Sequence, residues 1–570
     1  MNKNYDVVIL GGGLAGLTLS LQLKKHKPDI SILILERRET EAPLAAHKVG
    51  ESTVELASHY LREVLDLKGY LEEHELPKHG LRFFFKSNTK EDISSRVELG
   101  PRFRLPVPSH QLDRGTLENY MAKLTVEKGS EYLLGAKVSN VELVNSPQST
   151  DHSHKVSFIK NGKEETVSCR WVADASGRGS ILKRKLQFQK PMEHHINTSW
   201  WRLKGVIDID EWSNNKEWKN YLEPHLRYLS TVHFLDKGYW LWVIPLGTKN
   251  TSIGIVADPD IHPFETFNTY EKSVEWMRVN EPLAYKMLEP LGRGEGLMDF
   301  RILKHFAHHT QRIYSSERWA VTGESGAFLD PFYSPGSDFI SLNNTWLSDL
   351  ILRDIAGEDI ALRAQVYEQA HLAWVDSFLP IYQEKYKLMG SAQIMVMKIF
   401  WDWAVYWAIP CVLFVNNAFT DLRLLRDLFA SQNSLGRKFA ELHKRMQDFF
   451  LEWLPYENRI FEHRYIDPFD LKLLREFQSA ITVDIETKSL MEQIAINLNK
   501  LEQMAVAIFR LVSSEVKGTS PDIKVNPYTI TLNGEVDTTS DKAIAPSPEI
   551  TKDVEVMWFY EKKETIVDSQ

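Results

Sequence analysis

The sequence is nearly without cysteine: Cys169 and Cys411 are the only two in 570 residues. Two cysteines so far apart give no disulfide framework and no metal-ligand spacing, and they suit a reducing compartment. No basic stripe is present and the formal charge is −9, which argues against nucleic acid as a partner. No internal repeat is found. The first residues run straight into an apolar segment without a cleavable leader, so a cytoplasmic location is expected. Aromatic residues, in contrast, are plentiful: 16 Trp, 20 Tyr and 27 Phe. A chain of this length is too long for one core, and two or three domains are expected.

The stretch that organises the chain is Gly11-Gly12-Gly13-Leu14-Ala15-Gly16. Before it, Tyr5 to Leu10 is a short apolar run that reads as a buried parallel strand. After it, Leu17 to Lys25 reads as a helix. Gly11 allows a tight turn, Gly13 lets backbone approach a pyrophosphate, and Gly16 lets helix and strand pack closely. The N–H groups of Leu14, Ala15 and Gly16 at the helix start suit phosphate oxygens. A second strand, Ser31 to Leu35, ends in Glu36, placed to bind ribose hydroxyls, with Arg37 beside it. The pattern predicts a doubly wound α/β domain that binds a dinucleotide.

Further along, Gly50-Glu51-Ser52 precedes a helix expected from Ser52, where Ser52 and Glu55 have capping-box spacing, to about Gly69. Pro77 and Gly80 mark a turn before a strand at Leu81 to Phe85. Lys78 lies in that turn, and alone it reads as a solvated loop lysine. Residues 87–105 are charged and read as a surface excursion. Asp113 caps a helix whose Arg114 is near enough to contact a flavin or its phosphates. Strands are expected around 131–145, which includes Val138, and at 155–160 and 165–173. Asn161-Gly162 joins the last two as a hairpin. They lead to Asp174, another acid closing a strand. In Tyr239 to Pro245, period two puts Trp240, Trp242 and Ile244 on one face, and Pro245 ends the pairing. Alone, that is a buried strand with heavy aromatics. The strand Trp319 to Gly323 leads to Asp330 and then Ser334-Pro335-Gly336, before a helix from about Ser337 to Ile355. A flavin ring with its ribityl chain suits that helix N-terminus.

The expected domains are an FAD-binding unit from 1–190 and 311–357, a β-rich substrate unit from 191–310, a helical region from 358–515 and a loosely ordered polar tail from 516–570. Ile394 to Val415 is long and apolar. Lys398, Asp402 and Pro410 favour a buried or groove-lining helix over a span, with peripheral membrane contact through 394–415 as the second reading.

Together these pieces resemble the flavin-dependent halogenases over roughly residues 5–355. The glycine fingerprint with Glu36 is shared with many flavoproteins. Trp240-Leu241-Trp242-Val243-Ile244-Pro245 matches the family's W-x-W-x-I-P signature at every fixed position, and Lys78 with Gly80 and an aromatic strand looks like the setting of the family's catalytic lysine. Gly50-Glu51-Ser52 and Asp330-Pro331 look like family landmarks. The resemblance implies FAD, supplied as FADH2 by a separate flavin reductase, with halide oxidised to hypohalous acid and passed to Lys78 beside a small aromatic substrate. The indole wall of Trp240 and Trp242, with Ile244 and Pro245, separates flavin from substrate. A halide ion is expected at the loop of Ser334 and Gly336.

Two departures matter. Tyr333 stands where the tryptophan halogenases have a glutamate, which shifts the expected substrate to phenols, pyrroles and carrier-bound or lipophilic aromatics. Pro335 stands where the family offers a backbone N–H to halide, and proline has none. The alternative reading is an FAD-dependent aromatic monooxygenase of the same fold.

Overall fold

The computed structural model describes residues 3–559 apart from 46–48, 146–151, 430, 432–433 and 521. Ala46, His47 and Lys48 of the loop before Gly50 lie outside the described residues, as does the end of the tail, 560–570.

The first sheet is built on Asn4–Leu10, whose Val7 to Leu10 are fully buried. It runs parallel to Ile32–Leu35 on one side and to Lys163–Asp174 on the other. Glu131–Leu133 and Trp319–Val321 extend the sheet outward, both parallel to their neighbours. The register brings Leu10, Leu35, Asp174 and Val321 to the same edge. The loops after all four strands therefore open on one side, where α/β sheets bind ligands. The Asn161-Gly162 hairpin forms with both residues at positive φ, 51° and 73°, the geometry of a tight two-residue turn.

The second sheet has eight strands, ordered Leu297–Leu303, Asn197–Lys204, Asn250–Ala257, Tyr239–Pro245, Thr231–Asp236, Leu81–Phe85, Glu98–Leu99 and Tyr465–Ile466. The substrate unit is thus not confined to 191–310. It takes in two strands from the region assigned to the FAD unit and one from the helical region. The charged stretch 87–105 is a surface excursion only at its flanks, where Phe103 is 66% exposed; at its centre Arg96, Val97, Glu98 and Leu99 are almost fully buried. Its charges pair with Arg82, Arg227 and Glu281 from distant segments, the condition under which buried charge is tolerated.

Helix Glu55–His59 starts later than Ser52, without a side-chain cap. Ser52 Oγ bonds instead to Thr231 Oγ1 at 2.9 Å, and Thr53 is tied to His110 through N–H and hydroxyl. The expected stop at Gly69 is also wrong. The helix ends in a wide turn at Tyr60–Val64, and Gly69 lies inside a new helix, Lys68–His74.

The C-terminal half is helical. Ala392–Tyr406 continues through a wide turn, Trp407–Cys411, to Val412–Val415. The wider turn accommodates Pro410, whose missing N–H would interrupt a regular helix. The most apolar window of this helix is 89% buried inside the protein. The membrane contact expected through 394–415 is therefore corrected: other parts of the chain cover this surface. The tail is corrected too. Val525 pairs with Ile544, Pro548–Val556 is a helix, and Ile530, Leu532, Val554, Met557 and Phe559 are buried. Gln393 on the apolar helix bonds Met557 O and Phe559 N. Pro527–Thr529 forms a short turn capped by Asn526.

Candidate active site

The glycine loop forms a cradle. A Cβ on Gly16 would lie 2.1 Å from the Gly11 carbonyl oxygen, and one on Gly11 2.4 Å from the Ala175 carbonyl oxygen. Helix Leu14–His26 makes its first internal bond from Leu17 N–H to Gly13 O. The N–H groups of Leu14, Ala15 and Gly16 therefore have no partner within the helix and can face an anion. These residues fit the pyrophosphate of FAD.

Glu36 sits at the end of the second strand and accepts from Gly12 N–H at 2.9 Å. Arg37 is exposed. It is Arg38 that returns, donating to Glu36 and to the Gly12 carbonyl. Arg37 and Arg38 face opposite ways, as side chains one residue apart on an extended segment do. Val138 is half-buried on a strand whose lead-in bonds Glu36 and Arg38 through Ala136 and Gly135. Arg114 donates to Glu118 at 2.6 Å and to the carbonyls of Val49 and Gly50. Glu51 is held by Arg202, from the second sheet. Asp174 closes its strand beside the glycine loop, at the same sheet edge as Leu10. It accepts from Ser176 N, Ser176 Oγ, Leu182 N and Ser325 Oγ and pins the turn.

Lys78 is 7% exposed and its ammonium donates to Thr53 O at 2.7 Å. It belongs to a short strand, Leu76–Lys78, paired with Ser109–Gln111, rather than to a free turn. It lines a cavity with Glu55, Asp338, Tyr333, Tyr406 and Trp403, and the other walls are mostly apolar. Burial pulls the Lys78 ammonium down to about 7, against the opposing pull of Glu55 and Asp338. Burial likewise pushes Asp338 up to about 7, although Tyr406 and Ala57 N–H stabilise its charge. Glu55 is also raised by burial. Sequence reasoning did not find Glu55, Asp338 or Tyr406 as parts of this site, since each arrives from a distant segment.

Trp240, Trp242 and Ile244 share one face of their strand and join the main core, while Tyr239, Leu241 and Val243 join the other. The indole centroids of Trp240 and Trp242 are 5.5 Å apart. Gly254 lies opposite Trp242, and a Cβ there would lie 2.2 Å from the indole. Trp240 Nε1 donates to Tyr386 Oη at 3.0 Å, and Tyr386 donates to Asp330 at 2.8 Å. His194 Nε2 bonds the same Asp330 oxygen at 2.9 Å. The other oxygen accepts from Phe332 N–H. Asp330 therefore holds the loop to the wall through both of its oxygens.

The halide loop is corrected at Ser334. Its N–H goes to Pro331 O at 2.9 Å, and Pro335 has none to give. Gly336 opens helix Gly336–Ile355, whose first internal bond is Phe339 N–H to Pro335 O. The N–H of Gly336, with those of Ser337 and Asp338, thus starts a helix with no internal partner. Tyr333 and Ser334 are both left-handed, with φ of 70° and 62°, at a cost of about 1–2 kcal/mol each. Tyr333 Oη donates to Asp402 at 2.9 Å, which anchors the loop to helix Ala392–Tyr406. Asn344 on the Gly336 helix bonds Ala15 O, bringing this loop against the cradle.

A model described as "FAD binding domain" matches residues 4–255. The flavin-dependent halogenase chlA of Dictyostelium discoideum is 27% identical over 81% of this chain and 82% of its own length. The 1H-pyrrole-2-carbonyl-[peptidyl-carrier protein] brominase of Pseudoalteromonas luteoviolacea is 24% identical over 63% of this chain and 79% of its own. The crystal structure of halogenase PltM with phloroglucinol and FAD shares the fold, with a TM-score of 0.60 at 16% identity, over 92% of this chain and 98% of that one. In sequence and fold the chain resembles the flavin-dependent halogenases, and FAD is the cofactor of an oxidoreductase.

Proposed function

We propose that the protein halogenates an electron-rich aromatic compound such as a phenol or pyrrole. The cradle of Gly11 to Gly16 would hold reduced FAD, which with dioxygen and halide would supply hypohalous acid. The side chains of this chain do the rest. Trp240 and Trp242 do not line the Lys78 cavity themselves; the part assigned to them is a barrier on the flavin side. Lys78 hydrogen-bonds the hypohalous acid and polarises it toward the substrate ring.

The observation that carries this reading is the state of Lys78. It faces a mostly apolar cavity, is held by a neutral carbonyl and is brought to about 7. At neutral pH its ammonium is a proton donor that gives up its proton readily. A separate flavin reductase is assigned as the source of reduced FAD. The carrier-bound substrate of the brominase relative supports a carrier-bound or lipophilic substrate alongside a free one. A cytoplasmic location is part of the same proposal.

One observation favours the monooxygenase reading: at the halide loop, Ser334 N–H is occupied and Pro335 has no N–H. Turnover with FAD, a flavin reductase, NADH and bromide, on a panel of phenols, indoles and pyrroles, separates the two. Mass spectrometry is expected to show a bromine isotope pair. A product with one added oxygen and no bromine overturns the halogenase reading.

A further inference from the structure

Three carboxylates line the cavity beside Lys78. Asp402 is occupied by Lys398, the Tyr333 hydroxyl and the Gln447 amide. Asp338 is occupied by Ala57 N–H on one oxygen and the Tyr406 hydroxyl on the other. Glu55 differs. Gln478 reaches it only at 3.4 Å. Glu55's own backbone N–H and the Trp407 indole also stabilise its charge. Glu55 is 6% exposed and lies two residues after Thr53, the carbonyl that fixes the Lys78 ammonium.

We infer that Glu55 is the catalytic base that takes the ring proton and returns it to Lys78. The inference rests on the halogenase reading. The aromatic carbon attacks the halogen of hypohalous acid, so the carbon–halogen bond forms as the oxygen–halogen bond breaks. The departing hydroxide takes a proton from the Lys78 ammonium and leaves as water. The ring carbon then loses its proton to Glu55, and the C–H electron pair restores aromaticity. The proton passes from Glu55 to the Lys78 amine. The sum is arene plus hypohalous acid giving haloarene plus water, with both side chains as they began. Each side chain also favours the other's charged form in the buried site.

The test compares wild type with Glu55→Gln, using a panel phenol that the wild type brominates, in its ring-protonated and ring-deuterated forms. Bromination by Glu55→Gln is expected to fall about 10²-fold or more and to acquire a primary deuterium isotope effect absent from the wild type. Hypobromous acid release should be unchanged. A readout on protein without FAD is the NMR titration of ¹³C-methylated Lys78, assigned by its loss in Lys78→Ala. Removing the Glu55 charge should lower its midpoint. If the glutamine variant precipitates, Glu55→Asp, which withdraws the carboxylate by one methylene, is read the same way. Bromination by Glu55→Gln at the wild-type rate with no isotope effect, an isotope effect in Asp338→Asn instead, or an unmoved Lys78 midpoint overturns the inference. If the wild type makes neither hypobromous acid nor bromoarene, the halogenase reading fails, and the titration still decides whether Glu55 couples to Lys78.

Discussion

The ammonium of Lys78 donates a 2.7 Å hydrogen bond to the carbonyl of Thr53, a partner that orients it without supplying a counter-charge. Thr53 is itself clamped to His110 by two bonds to the same carbonyl and one back from His110 N–H. The lysine is thus aimed by a rigid neutral group, while burial lowers it and Glu55 and Asp338 on the cavity walls partly offset that shift.

The first prediction concerns pH. Lys78 is brought from 10.5 to about 7 by burial, so bromination should fall as pH rises through about 7, while hypobromous acid release does not follow it. The unfolded chain keeps this proton up to about 10.5 and the folded chain releases it near 7. The cost of burying the charge is therefore full below 7 and shrinks between 7 and 10.5. Lys78→Met is expected to abolish bromination and to raise the melting temperature more at pH 6 than at pH 10. Equal gains at both values contradict this account.

A second prediction concerns the cradle. Gly16→Ala places a methyl where the Gly11 carbonyl oxygen now sits, 2.1 Å away. The loop must move, and FAD affinity should drop by more than tenfold in a fluorescence titration. A binding constant within twofold of wild type shows that the cradle does not hold the pyrophosphate.

What was legible in the sequence was local. The strand, glycine turn, helix and acid at 5–36 follow one another along the chain. The indole wall depends only on the alternation of Trp240, Trp242 and Ile244. What was illegible was assembled from afar. Lys78 read as a loop residue because Pro77 and Gly80 are turn formers, and nothing nearby in sequence names Ser109–Gln111 as its strand partner. Residues 87–105 read as surface because Arg96 and Glu98 are charged, and their partners, at 281 and at 82 and 227, are far away. The tail read as loose because its composition is polar, yet its sparse apolar residues fall where the helical region can bury them.

The third prediction concerns Asp402, which joins Lys398 to Tyr333. Asp402→Leu leaves the Lys398 charge buried without its partner, a loss of about 3–5 kcal/mol. Adding Lys398→Met removes that charge and should restore most of the melting temperature. Bromination should stay impaired in the double variant, because Tyr333 has lost the anchor that holds its left-handed backbone. Recovery of activity together with stability refutes the anchoring role.

The fourth prediction concerns the wall. Trp240→Ala opens a void of indole size, at a cost of about 3–5 kcal/mol, and removes the donor to Tyr386. Hypobromous acid should then escape, so a scavenger in solution is brominated faster and the substrate more slowly. An unchanged ratio of the two products shows that the indole is not a barrier.

Tyr465–Ile466 has a consequence for how the protein is made. These two residues complete the edge of the second sheet, with Arg464 O and Ile466 O receiving Glu98 N–H and Gly100 N–H. Their partners leave the ribosome more than 360 residues earlier. Throughout that interval the nascent chain carries an unsatisfied strand edge, a template for pairing with other chains. Any transcript ending before residue 465 should yield a sticky fragment rather than a smaller enzyme, and a chaperone that shields that edge during translation should raise the yield of active protein.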